Sequence, residues 1–258
     1  MFNNLIAHSK VYFKYSVSEQ RQLFLTAIIF GFILSFRMWG GDTFNAILGF
    51  TNWFFSTIII ISAMLIQFTL QKMAAIDRGY TMKFHWWLPG VLIGLLLSFI
   101  SFGFIPFLFP NSVYYKHDKK LRLGHFRYGT NMREISTLSI WGVVGNIGVA
   151  MLVGLIYLQF PSYLLLLFVK LNLLFAFFSM LPIPTISGMK LGDGSTPGFT
   201  IFFFSRQLYV FIFASLICYI GLIYFLITIL NSFWLLLLAA VLGAIIFFFF
   251  SRIIDGNF

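Results

Sequence analysis

The chain of 258 residues is 60% hydrophobic and only 9% charged, with a mean hydropathy of +0.95, whereas soluble domains carry about 25% charged residues. This excludes an ordinary soluble domain and points to an integral membrane protein, and 36 phenylalanines set among long Leu and Ile runs predict helical spans rather than the alternating strands of a barrel. The 17 basic against 7 acidic residues, a net charge of +10, mark loops facing an anionic cytoplasmic leaflet; no basic groove with stacking aromatics stands apart from the spans, which argues against a nucleic-acid partner.

In chain order, Ser16-Val17-Ser18-Glu19 reads as a capping box that starts a helix. That helix runs into a first span, Leu23 to Met38. Gly40-Gly41-Asp42 turns the chain into a longer second span, Asn45 to Met73. Lys72, Asp77, Arg78 and Lys83 then mark a water-facing segment. The apolar stretch from His85-Trp86-Trp87-Leu88-Pro89 to Pro106 and Pro110 is about twenty residues long, enough to cross. Charge argues instead for re-entry. If the stretch crossed, Lys116, Lys119, Lys120, Arg122, Arg127 and Arg133 would lie opposite Lys10, Lys14, Arg21, Lys72, Arg78 and Lys83, against the positive-inside rule. If it dips in and returns, every basic cluster falls on one side.

Val113-Tyr114-Tyr115, Gly124 and Gly129 in the basic segment predict a short hairpin on the membrane surface. Four further spans follow: Ile135 to Leu158, Tyr163 to Leu181, Gln207 to Leu230 and Phe233 to Phe250. Asn231-Ser232 is so short a link that the last two must be antiparallel neighbours. The expected architecture is an all-α polytopic bundle of six transmembrane helices with one re-entrant segment and a surface hairpin. It forms one membrane domain over residues 1–258, lies in the cell membrane in contact with lipid, and has both termini cytoplasmic. The lone Cys218 sits in an apolar run and builds no disulfide or thiolate site, and His117 and His125 lack a third ligand.

Two amides stand out. Gln67 and Gln71, in Gln67-Phe68-Thr69-Leu70-Gln71, are i,i+4 neighbours on one helix face. The fourth span ends in Ser179-Met180-Leu181-Pro182-Ile183-Pro184-Thr185-Ile186-Ser187-Gly188. This run resembles the NxxPxPxxDG signature of the site-2 protease family of intramembrane zinc metalloproteases. Gly142-Val143-Val144-Gly145-Asn146 is similar to that family's GPxxN segment, and Phe109-Pro110-Asn111-Ser112-Val113-Tyr114 to its PGAVY-type stretch. In that frame the glutamine pair, followed by Gly79-Tyr80, sits where HExxH and its trailing glycine-tyrosine would be. The resemblance covers residues 16–206, leaving 207–258 as a C-terminal helical hairpin.

The departures bear on chemistry. The resemblance implies zinc as cofactor, but glutamine replaces both histidines, Phe68 the glutamate and Ser187 the aspartate. Neutral amide and hydroxyl oxygens are poor zinc donors, and without metal or carboxylate nothing activates water. The expectation is the fold of a protease without its reaction. Gln67 and Gln71 would bond to one another or to Ser187; Asn172 and Ser179, seven residues apart, share the cleft face, with Asn146 opposite. Such a cleft would hold a partly unwound transmembrane client or survive as a structural relic. An active enzyme using Asp193 and a small transporter are the alternatives. Lys170, mid-span and turned away from the cleft, would snorkel, meet a carbonyl or meet a partner subunit.

Overall fold

The computed structural model describes residues 11–40, 43–108, 112–117, 131–184, 195–227 and 230–254. Six helices are long and apolar enough to cross a membrane: α1 (Val17–Ser35), α2 (Ala46–Asp77), α4 (Met132–Gln159), α5 (Tyr163–Met180), α7 (Arg206–Leu226) and α8 (Ser232–Ile254). Between them lie β1 (Tyr80–His85), α3 (Leu88–Ile100), β2 (Ser112–His117) and the short α6 (Pro197–Phe204).

Local chemistry sets the helix starts. The Ser16 side chain accepts from the Glu19 backbone N–H while the Glu19 carboxylate accepts from the Ser16 N–H, the reciprocal pair expected from Ser16-Val17-Ser18-Glu19. Asn45 caps α2 through Leu48 N, and Thr196 caps α6 through Phe199 N.

Two apolar clusters hold the bundle, and α5 belongs to both. Leu167, Leu171, Phe175 and Phe178 pack with α1, α2, both strands and the start of α4, whereas Val169, Leu173, Ala176 and Met180 pack with α6, α7 and α8. Accordingly α5 is the most buried span, at 56% of its apolar window, and α8 the least, at 17%. Helix α8 is peripheral, packed mainly on α7, and the link through Asn231 leaves the two as neighbours as expected.

The surface hairpin expected after Asn111 falls mostly outside the described residues, and its first strand has a partner that was not expected. Val113, Tyr114 and Tyr115 do lie in a strand, but its partner among the described residues is Tyr80–His85, in antiparallel register from Tyr80 opposite His117 to His85 opposite Ser112. The glycines proposed for its turn, Gly124 and Gly129, lie outside the described residues. Sequence periodicity cannot reveal a strand partner 27 to 37 residues away, because pairing is decided by the fold that brings the strands together.

That pairing constrains the stretch in between. The chain leaves the ladder at His85 and rejoins it at Ser112, whose Oγ donates to the His85 carbonyl at 3.0 Å. Helix α3 has 13 residues, about 20 Å of rise, short of the roughly 30 Å hydrocarbon thickness. It ends in a Schellman turn: Gly103 N–H donates to the Ser98 carbonyl at 2.7 Å and Phe102 N–H to Phe99 at 3.1 Å. Phe102 holds the left-handed conformation (φ 49°) normally left to glycine. The turn redirects the chain beside α1, where Phe99 meets Phe36 with ring centroids 5.0 Å apart.

Candidate functional site

The motifs singled out in the sequence meet inside the bundle. Gln67 Oε1 accepts from Asn146 Nδ2 at 3.1 Å and from Ser179 Oγ at 3.2 Å, joining α2, α4 and α5 at one buried atom. Gln71, one turn on, donates through Nε2 to the Ser139 carbonyl of α4 at 3.3 Å. Pairing Gln67 with Asn146 and Gln71 with Ser139 makes α2 and α4 antiparallel. Gly142 makes the approach possible: a Cβ there would stand 2.5 Å from Gln71 Nε2, and one on Gly145 would stand 2.0 Å from Leu70 Cδ1.

The two glutamines therefore turn outward to neighbouring helices rather than to each other. Their side chains point from one face, but the carbonyl and amide groups across the α2–α4 contact are nearer partners than a second glutamine a turn away. Ser187, the other partner expected, lies outside the described residues, as do Asp193 and His125. Phe68 is buried at 1% exposure against Phe84, ring centroids 4.8 Å apart, as part of the apolar core. His117 ends β2 opposite Tyr80.

A second layer was missed in the sequence. Ser139 Oγ lies 3.1 Å from Thr200 Oγ1 of α6 and 3.5 Å from the Tyr115 hydroxyl of β2, and Ser136 Oγ donates to the Thr200 carbonyl at 2.7 Å. Burial raises the Tyr115 phenol far above its ordinary range, against the opposing effect of its contact with Ser139. A signal was present: Ser139, Gly142 and Asn146 recur at i, i+3 and i+7, a stripe of small and polar residues on one face of α4. Helix α6 was also missed. Gly198 lets it lie against the end of α5, since a Cβ there would meet the Met180 carbonyl oxygen at 1.9 Å, and Thr196 Oγ1 donates to the Leu181 carbonyl at 2.7 Å.

The cluster is closed but not saturated. Gln67, Gln71, Asn146, Asn172 and Ser179 are all at or below 2% exposure. Gln71 Oε1, Asn146 Oδ1 and both amide atoms of Asn172 have no hydrogen-bond partner among the described residues, and each such buried group costs about 1–3 kcal/mol. Asn172 shares the Ser179 face of α5 as expected, but makes none of the cluster's bonds. Lys170 is separate: its ammonium lies 4.6 Å from the Tyr224 ring near the end of α7, a cation–π contact reached by snorkelling towards a helix end.

As a test of fit for zinc, these donors fail. Gln67 Oε1 is already engaged by two donors, Gln71 faces a backbone carbonyl through its amide nitrogen, and the third described group is a hydroxyl. Zinc sites use imidazole, thiolate or carboxylate, and among the described residues no three His, Cys, Asp or Glu side chains gather.

The fold and cluster thus define a polytopic helical chain with six helices apolar and long enough to span a membrane and a closed polar centre where α2, α4 and α5 meet. Comparison with protein-family models, with curated proteins and with solved structures gives no match.

Proposed function

We propose that this chain is a site-2 protease-like membrane protein without protease chemistry, which binds or regulates transmembrane clients through the cleft between α2, α4 and α5. The observation that carries the reading is the convergence on Gln67: the segments resembling HExxH, GPxxN and NxxPxPxxDG, far apart in sequence, meet through Gln67, Asn146 and Ser179. In such a cleft, amides and hydroxyls offer hydrogen bonds to a client's unwound backbone. They supply no Lewis acid and no general base, so the client is held and not cut.

The same reading places the stretch between β1 and β2 as a re-entrant element. Supporting it are the 13-residue length of α3, its Schellman turn, and the return of the chain to the ladder it left. Contact of Tyr80, the first residue of β1 just after α2, with Glu134 at the start of α4 puts those helix ends on one side. Six crossings then leave both termini together, on the cytoplasmic side by the distribution of basic residues, in the cell membrane.

The test uses the full chain in lipid nanodiscs and a synthetic transmembrane peptide of Leu and Ala with a central Asn-Pro helix break, beside an unbroken control. The broken peptide is expected to bind and remain intact, with sub-stoichiometric zinc by elemental analysis, and Gln67→Leu with Gln71→Leu to abolish binding. Peptide cleavage, or one tightly held zinc per chain, would overturn the reading.

A further inference from the structure

Asn172 lies at the middle of α5, and neither its Oδ1 nor its Nδ2 has a hydrogen-bond partner among the described residues, although the residue is wholly buried. Its neighbours in sequence, Leu171 and Leu173, are core residues of the two apolar clusters, so α5 is buried on either side of the amide. Among the described residues, Asn172 is thus a buried amide with neither its donor nor its acceptor paired. An unpaired buried amide carries a standing penalty that calls for a physical reason.

Its placement supplies one. Asn172 is seven residues before Ser179, 20° short of two turns, so both project from one face of α5 about 10 Å apart along the axis. Ser179 donates to Gln67. From that junction the polar groups continue through Gln71 and Ser139 to Thr200 and Tyr115. Among the described residues Gln71 Oε1 and the Oδ1 of Asn146, which bonds to Gln67, are also unpaired. Among the described residues the polar cluster thus carries unpaired acceptors on Gln71 and Asn146, and Asn172, about 10 Å along α5 from Ser179, offers both an unpaired donor and an unpaired acceptor. About 10 Å corresponds to three residues of extended chain.

We propose that Asn172 is the terminal subsite of a peptide-backbone binding track. Its carboxamide pairs with a peptide group of an unwound client segment by accepting from the peptide N–H and donating to the peptide C=O. This rests on the client-binding reading and adds how deep the client reaches and which group receives it. Among the described residues Asn172 is unpaired, and occupancy satisfies it. Water held permanently at the amide is the rival occupant.

The experiment uses the full chain in nanodiscs, with Asn172→Cys in a Cys218→Ser background and the broken peptide carrying one cysteine at its break. A disulfide between them, absent with the unbroken peptide, is expected. Asn172→Leu is expected to weaken broken-peptide binding by about tenfold or more, the loss of two hydrogen bonds, while raising the melting temperature of the free protein. Asn172→Ser, a smaller change, should weaken binding without that gain. If Asn172→Leu lowers the melting temperature and leaves binding intact, the amide is held by internal water and the proposal is overturned. Absence of the disulfide, with binding still dependent on Gln67 and Gln71, overturns the subsite and leaves the client reading standing. Failure of the wild type to bind the broken peptide overturns both.

Discussion

The Lys72 ammonium lies 2.9 Å from a carboxylate oxygen of Glu19, with both side chains at or below 6% exposure. Lys72 also donates to the Lys14 carbonyl at 2.9 Å and sits 3.9 Å from the Tyr15 ring centroid. Glu19 caps α1 and accepts from the Phe84 N–H at 2.9 Å, so one ion pair ties α1, α2, β1 and the segment before α1 together. Every lone pair it needs is used, which a buried pair requires if Coulomb attraction is to offset desolvation.

Breaking one side of this pair strands the other. Lys72→Met is expected to destabilise the protein by about 3–5 kcal/mol, read as a fall in the unfolding midpoint in detergent. The double variant Glu19→Gln, Lys72→Met should recover most of the loss, because no charge is then buried alone. An undiminished midpoint in Lys72→Met would mean that Glu19 is reached by solvent.

The α5–α6 contact leaves no room for a methyl group. At Gly198 the obstruction is the Met180 carbonyl, which is backbone and cannot rotate away. Gly198→Ala should cost about 1–3 kcal/mol and lower the yield of monodisperse protein. Gly148→Ala, on a face with open space around it, serves as the control and should be neutral.

Gln67 is the junction of the cluster. Gln67→Leu leaves the Asn146 amide without its acceptor and should lower stability by about 1–3 kcal/mol. Ser179→Ala removes one hydroxyl donor and should cost about 0.6 kcal/mol, the mean for such bonds in membrane bundles. A double-mutant cycle between Gln67 and Asn146 is expected to give a coupling of about 1 kcal/mol. Additivity would show that the two side chains do not interact.

Topology can be read by labelling single cysteines in a Cys218→Ser background. Positions 83 and 116, on the paired strands, should label from one side and position 162, at the start of α5, from the other. Position 102, at the exposed turn after α3, should resist labelling from the side that reaches 162. Labelling of 83 and 116 from opposite sides would show that this stretch crosses.

By itself the sequence determined the class of the protein and the approximate limits of its six apolar helices, since span length and hydropathy are local properties set against a fixed bilayer thickness. It also determined the Ser16–Glu19 cap, whose groups lie within one turn. Gln67, Asn146 and Ser179 were legible as a polar set, because a polar residue inside a span is conspicuous. Their actual partners were not. Only the tertiary structure decided that Gln67 bonds to Asn146 and Ser179 and Gln71 to Ser139, that Val113-Tyr114-Tyr115 pairs with Tyr80–His85, and that Glu19 meets Lys72. Each of these joins residues far apart in the chain. Such contacts depend on which helix faces the packing of small residues brings together, as Gly142 and Gly145 do for α2 and α4, and not on any local propensity.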